Sequence, residues 1–271
     1  MSRLMARPRV PHDDPEMPMP HTFRRLRLLA AMLSIVLVAL LVTPAHAAGC
    51  SPPTFVTSAP DGMWSNGGYF VHNYMWNASG YRVDQTLRAC SYRQWSVTAT
   101  ADNAAQDGAV KTYPSAHKDF HNWTTGWEPR LSTFTSIRSR FSARSPGVGI
   151  YNVAYDIWLT GVPGQHEVMI WTDNYRQVPA GTLVAQGLRF NDRTWKVFAT
   201  PGNGTVTFLP DARLTQGTLD IKARLDWLVR RGMLPATATL GQICFGVEIV
   251  STGGRPAAFY FDDFSVGVGR T

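Results

Sequence analysis

Short runs of alternating apolar and polar residues occupy most of the chain beyond residue 68. Side chains of a β-strand point alternately to opposite faces, so a period of two predicts strands that bury one face. Gly, Pro, Asn and Ser residues separate the runs, as expected for turns. We therefore predict one all-β domain, either a sandwich or a barrel. The ten predicted strands span residues 68–77, 92–100, 132–142, 149–159, 166–173, 181–190, 194–200, 204–210, 242–250 and 257–266.

One segment between these runs has a helical period instead. In LDIKARLDWLVRR, residues 219–231, apolar residues recur at helical spacing from Leu219 or Ile221 onward. Two arginines occupy the last turn and Gly232 follows, which is typical of a helix C-terminus. We predict one α-helix packed on the outside of a sheet.

The N-terminal residues 1–47 are predicted to be a signal peptide rather than part of the fold. Three arginines between positions 24 and 27 precede the apolar run 28–42, and the small-residue sequence TPAHAA follows it. This order is typical of a secretory signal cleaved near Ala47, and the run is short for a membrane span. The polar residues ahead of it would be explained by a later start, at Met17 or Met19. Residues 48–271 are then the mature, secreted domain.

The charge of the chain argues against nucleic acid as a partner. The whole chain has 26 Lys and Arg and 19 Asp and Glu, of which six and three precede residue 48, so the remainder carries 20 minus 16, or +4. No cluster of basic residues is interleaved with aromatics, as a nucleic-acid surface would require. We expect a monomer with no stable membrane association after signal cleavage.

Three cysteines follow the signal: Cys50, Cys90 and Cys244. Export permits a disulfide, and one pair leaves one thiol over. Alternatively, AAGC (47–50) is a lipoprotein cleavage site with Cys50 acylated, although Ala47 stands where such sites usually carry a larger aliphatic residue.

One predicted strand carries a carboxylate among apolar residues. In GQHEVMIWTDNY, residues 164–175, the alternation places Glu167, Met169 and Trp171 on one face. If Leu159 pairs with Gly164 across the loop TGVP, the preceding strand forms a hairpin in which Asp156 faces Glu167. Opposed residues have their Cβ atoms about 5 Å apart. Two carboxyls that close cannot both ionise freely, and such pairs are found in active sites.

A second carboxylate, Glu248, lies in the strand CFGVEIV. Gly246 removes a side chain beside it and predicts room for something to approach. Two strand glutamates flanked by Trp and Met are the parts of a retaining glycosidase, whose carboxyls lie about 5–5.5 Å apart and whose aromatics stack on sugar rings. Taken alone, each glutamate is more often structural, reaching solvent or an arginine.

From about Cys50 to its C-terminus the chain resembles glycoside hydrolase family 12, the secreted β-1,4-glucanases. The segments that carry the resemblance occur in the family's order, and they are YFVHNYMWN (69–77), KTYPS (111–115), NVAYDIWL (152–159), EVMIW (167–171), Pro179-x-Gly181 and GVE (246–248). The resemblance implies a concanavalin-like β-jelly-roll sandwich of two curved antiparallel sheets with one packed α-helix. It also implies an open cleft that holds a glucan chain.

The resemblance assigns roles to individual residues. It implies that Glu167 is the nucleophile, that Glu248 is the general acid/base and that Asp156 hydrogen-bonds the nucleophile. It further implies that the substrate is contacted by a set of five residues, which are Asn73, Trp76, Met169, Trp171 and Pro179. Among them, Trp76 is expected to stack on a glucose on the non-reducing side.

The resemblance also implies a Cys50–Cys90 disulfide. The chain departs from the family's pattern beside the acid/base, where Ile249 and Val250 replace a proline and an aromatic residue. Cys244 occupies a cleft-facing position at which a glutamine is common. These departures leave open which glucan is preferred and how fast it is cut.

We expect endo-hydrolysis of β-1,4-glucosidic bonds in cellulose, mixed-linkage glucan or xyloglucan by a retaining double displacement. No cofactor or metal is predicted, because His72, His117, His121 and His166 lack ligand spacing with cysteine or acidic partners. The alternative is a non-catalytic or weakly active carbohydrate-binding protein on the same fold. An endoxylanase of the related family is disfavoured, since EVMIW lacks the tyrosine pair expected on that nucleophile strand.

Overall fold

A computed structural model describes residues 50–271 of the chain. The predicted signal peptide, residues 1–47, lies outside these residues and stays a prediction. Within residues 50–271, none of the helices has the length and apolar character needed to cross a membrane.

The described residues form fifteen β-strands and one α-helix, with two short 3-10 helices at Leu131–Thr133 and Pro201–Asn203. The strands are β1 (Phe55–Thr57), β2 (Met63–Asn66), β3 (Tyr69–His72), β4 (Val83–Ala89), β5 (Trp95–Ala101), β6 (Ser115–Asp119), β7 (Phe134–Arg144), β8 (Ile150–Gly161), β9 (Gly164–Tyr175), β10 (Thr182–Phe190), β11 (Arg193–Ala199), β12 (Thr205–Pro210), β13 (Gln216–Asp220), β14 (Leu240–Ser251) and β15 (Ala257–Arg270). The helix α1 spans Ile221–Arg230 and follows β13 directly.

Two sheets pack face to face as a β-jelly roll. One has six strands in the order β1-β4-β5-β15-β7-β13, and the other has nine in the order β10-β11-β12-β9-β8-β14-β6-β3-β2. Apolar side chains of both sheets fill the space between them, where Phe245 of β14 meets Phe261 of β15 edge-on at 5.4 Å. Trp95 stacks on Phe261 at 3.9 Å. The predicted two-layered all-β architecture is confirmed.

The nine-stranded sheet contains one parallel pair, β9 and β12, where wholly antiparallel sheets were expected. Thr182, at the start of β10, pairs with Ala199 of β11. Ala199 in turn pairs with Val206 of β12, which pairs with Val168 near the start of β9. Residues 176–181 must therefore carry the chain back along most of the length of β9. The strands β10, β11 and β12 then return as a meander to the free edge of β9, which makes the last pair parallel.

The helix begins two residues later than the earliest predicted start. Leu219 belongs to β13, and the N-cap is Asp220, whose Oδ1 accepts a hydrogen bond from Ala223 N at 2.9 Å. A carboxylate at this position satisfies an unpaired backbone donor and complements the helix dipole. Gly232 takes a φ of 67° just beyond the helix, as predicted for the residue that ends it.

The alternation in the sequence does not predict five of the strands, β1, β2, β4, β6 and β13. Four of these have five residues or fewer, too few to establish a period of two. The fifth, β4, is largely polar and buries Gln85. Conversely, the run 68–77 forms a strand only as far as His72, and the residues after it are a loop.

The disulfide that the resemblance implied is present. Cys50 and Cys90 are bonded across 40 residues of sequence, with their Cα atoms 5.4 Å apart, and Cys244 is free and buried. The bond ties the first described residue to the turn that joins β4 and β5. In the loop-entropy account, closing a loop of this length lowers the entropy of the unfolded chain and so stabilises the fold by about 4 kcal/mol.

Thiol counting tests this pairing. The exported protein, denatured without reductant, should bind one equivalent of an alkylating reagent, and three after reduction. In the Cys90→Ser variant the unreduced count should rise to two, and the melting temperature should fall because the loop is no longer closed. Three thiols in the wild type, or a lipid mass on the peptide that contains Cys50, would contradict the pairing.

Candidate active site

Three carboxylates come from three neighbouring strands of the nine-stranded sheet. Asp156 lies on β8, Glu167 on β9 and Glu248 on β14, with β8 between the other two strands. Their chain neighbours Ile157 and Val168 belong to the core between the sheets. Because successive strand side chains alternate, the three carboxylates lie on the opposite face, which we term the cleft face.

The hairpin formed by β8 and β9 has a shorter turn than predicted. Gly161 pairs with Gly164, so the turn is only Val162-Pro163, and Asp156 lies opposite Met169 rather than Glu167. The predicted register is wrong by two residues. A shift of two preserves the face of every side chain, so Asp156 and Glu167 remain diagonal neighbours across the pair of strands.

Two glycines make the tight turn possible. Gly161 has a φ of 110°, which side chains rarely permit, and a Cβ on Gly164 would lie 2.2 Å from Leu159 O.

Asp156 and Glu167 are joined by a hydrogen bond between their carboxyl groups. Burial raises the pKa of Asp156 well above its usual range, and the charges of Glu167 and Glu248 raise it further. No amide or hydroxyl group of the described residues donates to its buried Oδ1. Asp156 is therefore the protonated member, and its proton serves the bond to Glu167.

Glu167 has two hydrogen bonds that favour its charged form. Burial is the largest influence and leaves the pKa of Glu167 above its usual value, but two hydrogen bonds oppose this rise: Thr205 Oγ1 donates to Glu167 Oε2 at 2.8 Å, and Asp156 donates from its carboxyl group. Thr205 comes from β12, the strand that pairs with β9 in parallel and lies level with Glu167. The unexpected parallel pair thus supplies one of the two groups that stabilise this carboxylate.

Glu248 is in a different environment. Burial raises its pKa to about 7, and the charge of Glu167 adds to the rise. Asn152 lies opposite on β8, where its Nδ2 donates to Glu248 Oε2 at 2.5 Å and lowers the pKa in part. At neutral pH this carboxyl divides between its protonated and charged forms.

Gly246 serves a purpose other than the one predicted. A Cβ at this position would lie 2.2 Å from Pro114 O and 2.5 Å from Ser115 Cβ. The space beside Glu248 is therefore filled by the segment that leads into β6, and it is not open for a ligand.

That segment places Tyr113 beside the carboxylates. Its hydroxyl donates to Ala154 O at 3.0 Å, midway along β8 between Asn152 and Asp156. Burial raises the pKa of Tyr113 well above its usual range, and the charges of the neighbouring acidic groups add to this. The tyrosine remains a neutral donor that fixes the backbone of β8.

A cavity of about 620 Å³ lies on the cleft face beside these groups. Asp156 lines it, whereas the two glutamates do not. Its walls include Val162 and Pro163 from the tip of the hairpin. The other lining side chains are mainly ring-bearing, and they include Phe70, His72, Tyr74, Tyr113, His117, Trp123 and Trp158.

Two side chains that line the cavity, His117 and Cys244, carry no charge. Burial lowers the pKa of His117 to about 3, so its ring is neutral at any ordinary pH. Its Nε2 lies 2.8 Å from Ser115 Oγ, and its Nδ1 lies 3.1 Å from Cys244 Sγ. Phe70 stacks on the ring at 4.4 Å. Cys244 does face the cleft, as expected, and burial raises the pKa of its thiol well above the usual range.

Two predicted substrate contacts lie in the loop after β3, in different settings. Trp76 is 56% exposed, at the surface, and its contact with substrate stays a prediction. Asn73 is wholly buried, where Nδ2 donates to Ala59 O at 2.9 Å and Oδ1 accepts from Gln85 Nε2 at 3.0 Å. The structure therefore gives Asn73 a supporting position in the loop, and Tyr74 is the residue of this loop that lines the cavity.

Met169 and Trp171 share the face of Glu167, as predicted, but they are only 5% and 2% exposed. They pack with Ala154 and Leu209 into a small apolar cluster separate from the main core. Pro179, half-buried, lies on the crossing segment 176–181. Contact of these three residues with a ligand also stays a prediction.

The sequence pattern does not identify three of the residues that bond to or flank the carboxylates. Asn152 and Tyr113 lie in the matched segments NVAYDIWL and KTYPS, so their positions were available but not their contacts. Thr205 falls in the sequon NGT, which is typical of a turn. Among residues 50–271, no three His, Cys, Asp or Glu side chains are grouped to hold a metal ion.

The two glutamates differ in how their surroundings affect protonation. Donors on both sides of Glu167 favour its charged form against the effect of burial, whereas Glu248 keeps a proton up to near-neutral pH. A charged carboxylate beside a protonated one is the combination that cleaves glycosidic bonds by nucleophilic attack with acid assistance.

Comparison with known proteins agrees with this geometry. The sequence profile of glycosyl hydrolase family 12 matches residues 67–269. No curated protein sequence matches the chain. Solved structures do, among them the xyloglucanase domain of NopAA, a type three effector from Sinorhizobium fredii, in complex with cellobiose, at 26% identity and a TM-score of 0.69 over 80% of this chain and 100% of that one.

Two further structures are similar over the same region. The catalytic domain of Humicola grisea Cel12A, in complex with a soaked thio cellotetraose, is 25% identical with a TM-score of 0.70, over 79% of this chain and 99% of that one. The native family 12 xyloglucanase from Bacillus licheniformis is 25% identical with a TM-score of 0.67, over 79% of this chain and 100% of that one.

Replacing Asn152 tests the environment of Glu248. The Asn152→Leu variant loses the amide that stabilises the charged carboxyl, so the pKa of Glu248 should rise above its value of about 7. NMR titration of the labelled glutamate side-chain carbons measures this. Asn174→Leu is the matched control, because Asn174 pairs with Asn152 on β9 but donates to Gln177 O instead. An equal pKa in both variants would show that Asn152 does not bond to Glu248 in solution.

Proposed function

The chain belongs to glycosyl hydrolase family 12, and on this basis we propose that it is a secreted endo-β-1,4-glucanase that cleaves its substrate by a retaining double displacement. The observation that carries the proposal is the pairing of Glu167 with a protonated Asp156 near a second carboxyl, Glu248, whose pKa is about 7. The expected substrates are cellulose, mixed-linkage glucan or xyloglucan.

In the first step Glu167 attacks the anomeric carbon, and Glu248 gives its proton to the departing glycosidic oxygen. The bond to the leaving chain breaks as the bond to Glu167 forms. In the second step Glu248, now charged, takes a proton from water, whose oxygen displaces Glu167 from the sugar. Two inversions give net retention, and both glutamates return to their starting states.

The assignment of the two roles follows from the hydrogen bonds. Burial raises the pKa of Glu167, but the hydrogen bonds from Thr205 and Asp156 oppose the rise and stabilise the charged carboxylate, which suits a nucleophile. Burial raises the pKa of Glu248 to about 7, which suits an acid that must be protonated. Since Glu167 must be charged and Glu248 protonated, kcat/KM of the free enzyme should fall as the pH rises through about 7.

The walls of the cleft support a glucan as the ligand. Trp123, Trp158 and Tyr74 line the cavity, and aromatic rings stack on the apolar faces of pyranose sugars. The similar structures were solved with cellobiose and with a thio cellotetraose bound, which are β-linked glucose chains.

Secretion is supported by two features. One is the signal-like sequence over residues 1–47, and the other is the Cys50–Cys90 disulfide, a bond typical of exported proteins. A sulfur atom in a disulfide is not available for acylation, so the bond favours the unlipidated form of Cys50.

A carbohydrate-binding protein with little or no turnover is the second candidate. The observation that favours it is that the 620 Å³ cavity is lined by Asp156 but by neither glutamate. A glucan held only in this cavity would be bound without meeting the nucleophile. Release of reducing ends from a panel of carboxymethylcellulose, mixed-linkage glucan and xyloglucan distinguishes the two, because binding alone releases none.

A mechanism-based label tests the roles of the glutamates. A 2-deoxy-2-fluoro-cellobioside with a good leaving group should bind covalently to one peptide, the one that contains EVMIW (167–171). Glu167→Gln should abolish labelling, whereas Glu248→Gln should still accept the label, since an activated leaving group needs no proton. Labelling of Glu248 would reverse the roles, and an α-anomeric first product would exclude retention.

Asp156 offers a paired test through its hydrogen bond to Glu167. In Asp156→Ala the bond is lost, the pKa of Glu167 rises, and the acidic limb of the pH–rate profile should move to higher pH. Loss of one charge-assisted bond, about 1.5–3 kcal/mol, should lower kcat/KM about tenfold or more. Asp156→Asn keeps an N–H donor and should shift the limb less. If both variants and the wild type have the same pH–rate profile, Asp156 does not influence the ionisation of Glu167.

A further inference from the structure

A fully buried arginine on α1 packs against aromatic rings and forms no ion pair with a described carboxylate. Arg224, on the first turn of α1, has no exposed surface. Its guanidinium stacks over the rings of Trp195 at 4.3 Å and Phe190 at 4.7 Å. No carboxylate among residues 50–271 lies within ion-pair distance of it. A buried charge without a partner is destabilising, so its environment needs an explanation.

The free hydrogen-bond donors of Arg224 lie on one edge of its guanidinium. Nη1 donates to Asp220 O at 2.8 Å, but Nε and Nη2 are buried and have no partner. In the planar guanidinium, Nε and Nη2 share an edge and present two parallel N–H groups. This is the fork that binds a carboxylate or another oxyanion through two oxygens.

A cavity of about 300 Å³ lies beside this side chain. Arg224 and Trp195 both line it, and the indole Nε1 of Trp195 is also buried without a partner. Three unsatisfied N–H donors therefore come from two side chains on the wall of one cavity. Buried donors are almost always paired, so the missing partner is expected to be rich in acceptors.

The charge in this region is not balanced by the protein. The side chain of Asp220 is engaged elsewhere, as the cap of Ala223 N, and burial lowers the pKa of Arg224 only to about 10. The guanidinium is therefore positive at neutral pH. Asp192 lines the same cavity from the turn between β10 and β11, and it is the one acidic side chain on the wall.

We propose that this cavity binds a small anion that presents two oxygen acceptors, held side-on by Nε and Nη2 of Arg224, with Trp195 Nε1 as a third donor. Carboxylates and tetrahedral oxyanions such as sulfate share this chemistry. The site is distinct from the cleft, because Trp195 packs in the core between the sheets whereas the catalytic carboxyls lie on the cleft face. A bound anion links α1 to β11, so binding stabilises the folded protein.

Thermal unfolding and calorimetric titration test the proposal with four probes: sodium formate, acetate, sulfate and phosphate, each at constant ionic strength against chloride. In the wild type, at least one anion should give saturable binding heat and raise Tm by about 3–6 °C at ten times its dissociation constant. Sulfate and phosphate stabilise proteins in general, so the quantity that decides is the difference between the wild type and Arg224→Met.

Arg224→Met should lose the saturable heat and the anion-specific rise in Tm. Arg230→Met is the matched control, because Arg230 is exposed on the same helix, and it should behave as the wild type does. If Arg224→Met does not fold, two milder variants test the proposal. Arg224→Lys removes donors but keeps the charge, and Trp195→Phe removes a donor but keeps an aromatic ring. Each should weaken binding. The four probes also distinguish a carboxylate ligand from a tetrahedral oxyanion, because a response to formate and acetate alone indicates a carboxylate.

Equal stabilisation of the wild type and Arg224→Met by every anion would overturn the proposal. The absence of saturable heat in the wild type would also overturn it, and would indicate that water or a rearranged Asp192 satisfies the arginine. Saturable binding that appears only in Asp192→Asn would identify Asp192 as the internal counter-ion and would equally rule out an anion site in the natural protein.

Discussion

The turn between β8 and β9 is the constraint on which the rest of the site depends. Its two residues fix the register of both strands, and hence the position of Asp156 beside Glu167. The turn is anchored by Glu128, whose carboxylate accepts from Gly161 N at 3.1 Å and from the hydroxyl of Thr239. Burial alone would raise the pKa of Glu128, but these donors and His121 lower it. A buried carboxylate outside the cleft therefore holds the hairpin that aligns the cleft.

Three carboxyls on adjacent strands would repel one another if all were charged, and the fold avoids this by giving each a different set of donors. Glu167 has Thr205 and Asp156, Glu248 has Asn152, and Asp156 has no fixed donor and keeps its proton. Burial raises the pKa of all three, neighbouring carboxylate charges raise it further at Asp156 and Glu248, and the donors oppose the rise at Glu167 and Glu248. Each donor is placed by the register of a neighbouring strand, so strand pairing contributes to the order in which the carboxyls ionise.

The sequence predicts faces better than it predicts neighbours. A period of two correctly places Glu167, Met169 and Trp171 on one face, because parity survives any error of two residues in the turn. The turn length itself was ambiguous, since TGVP and Val162-Pro163 both contain turn residues, and the register depended on it. Gly246 shows the same limit: a glycine signals close approach, but only the packing shows that the Pro114–Ser115 backbone is what approaches. Arg224 lies on the buried side of α1, where a helical pattern predicts apolar residues, so its burial could not be predicted from periodicity.

The uncharged side chains of His117 and Cys244 affect how strongly the three carboxyls interact. Cys244 lies opposite Asp156 on the neighbouring strand β14, and His117 lies on the far side of Cys244 on β6. Burial keeps the ring unprotonated and the thiol undissociated. A charged histidine at this position would stabilise the charged form of Asp156 and so weaken its hold on the proton that it shares with Glu167. With His117 and Cys244 uncharged and buried, the carboxyls interact at a low effective dielectric, where Coulomb interactions are strong. The departure from the family's pattern at Cys244 is compatible with the chemistry for this reason, since a buried thiol, like a glutamine side chain, adds no charge beside the nucleophile.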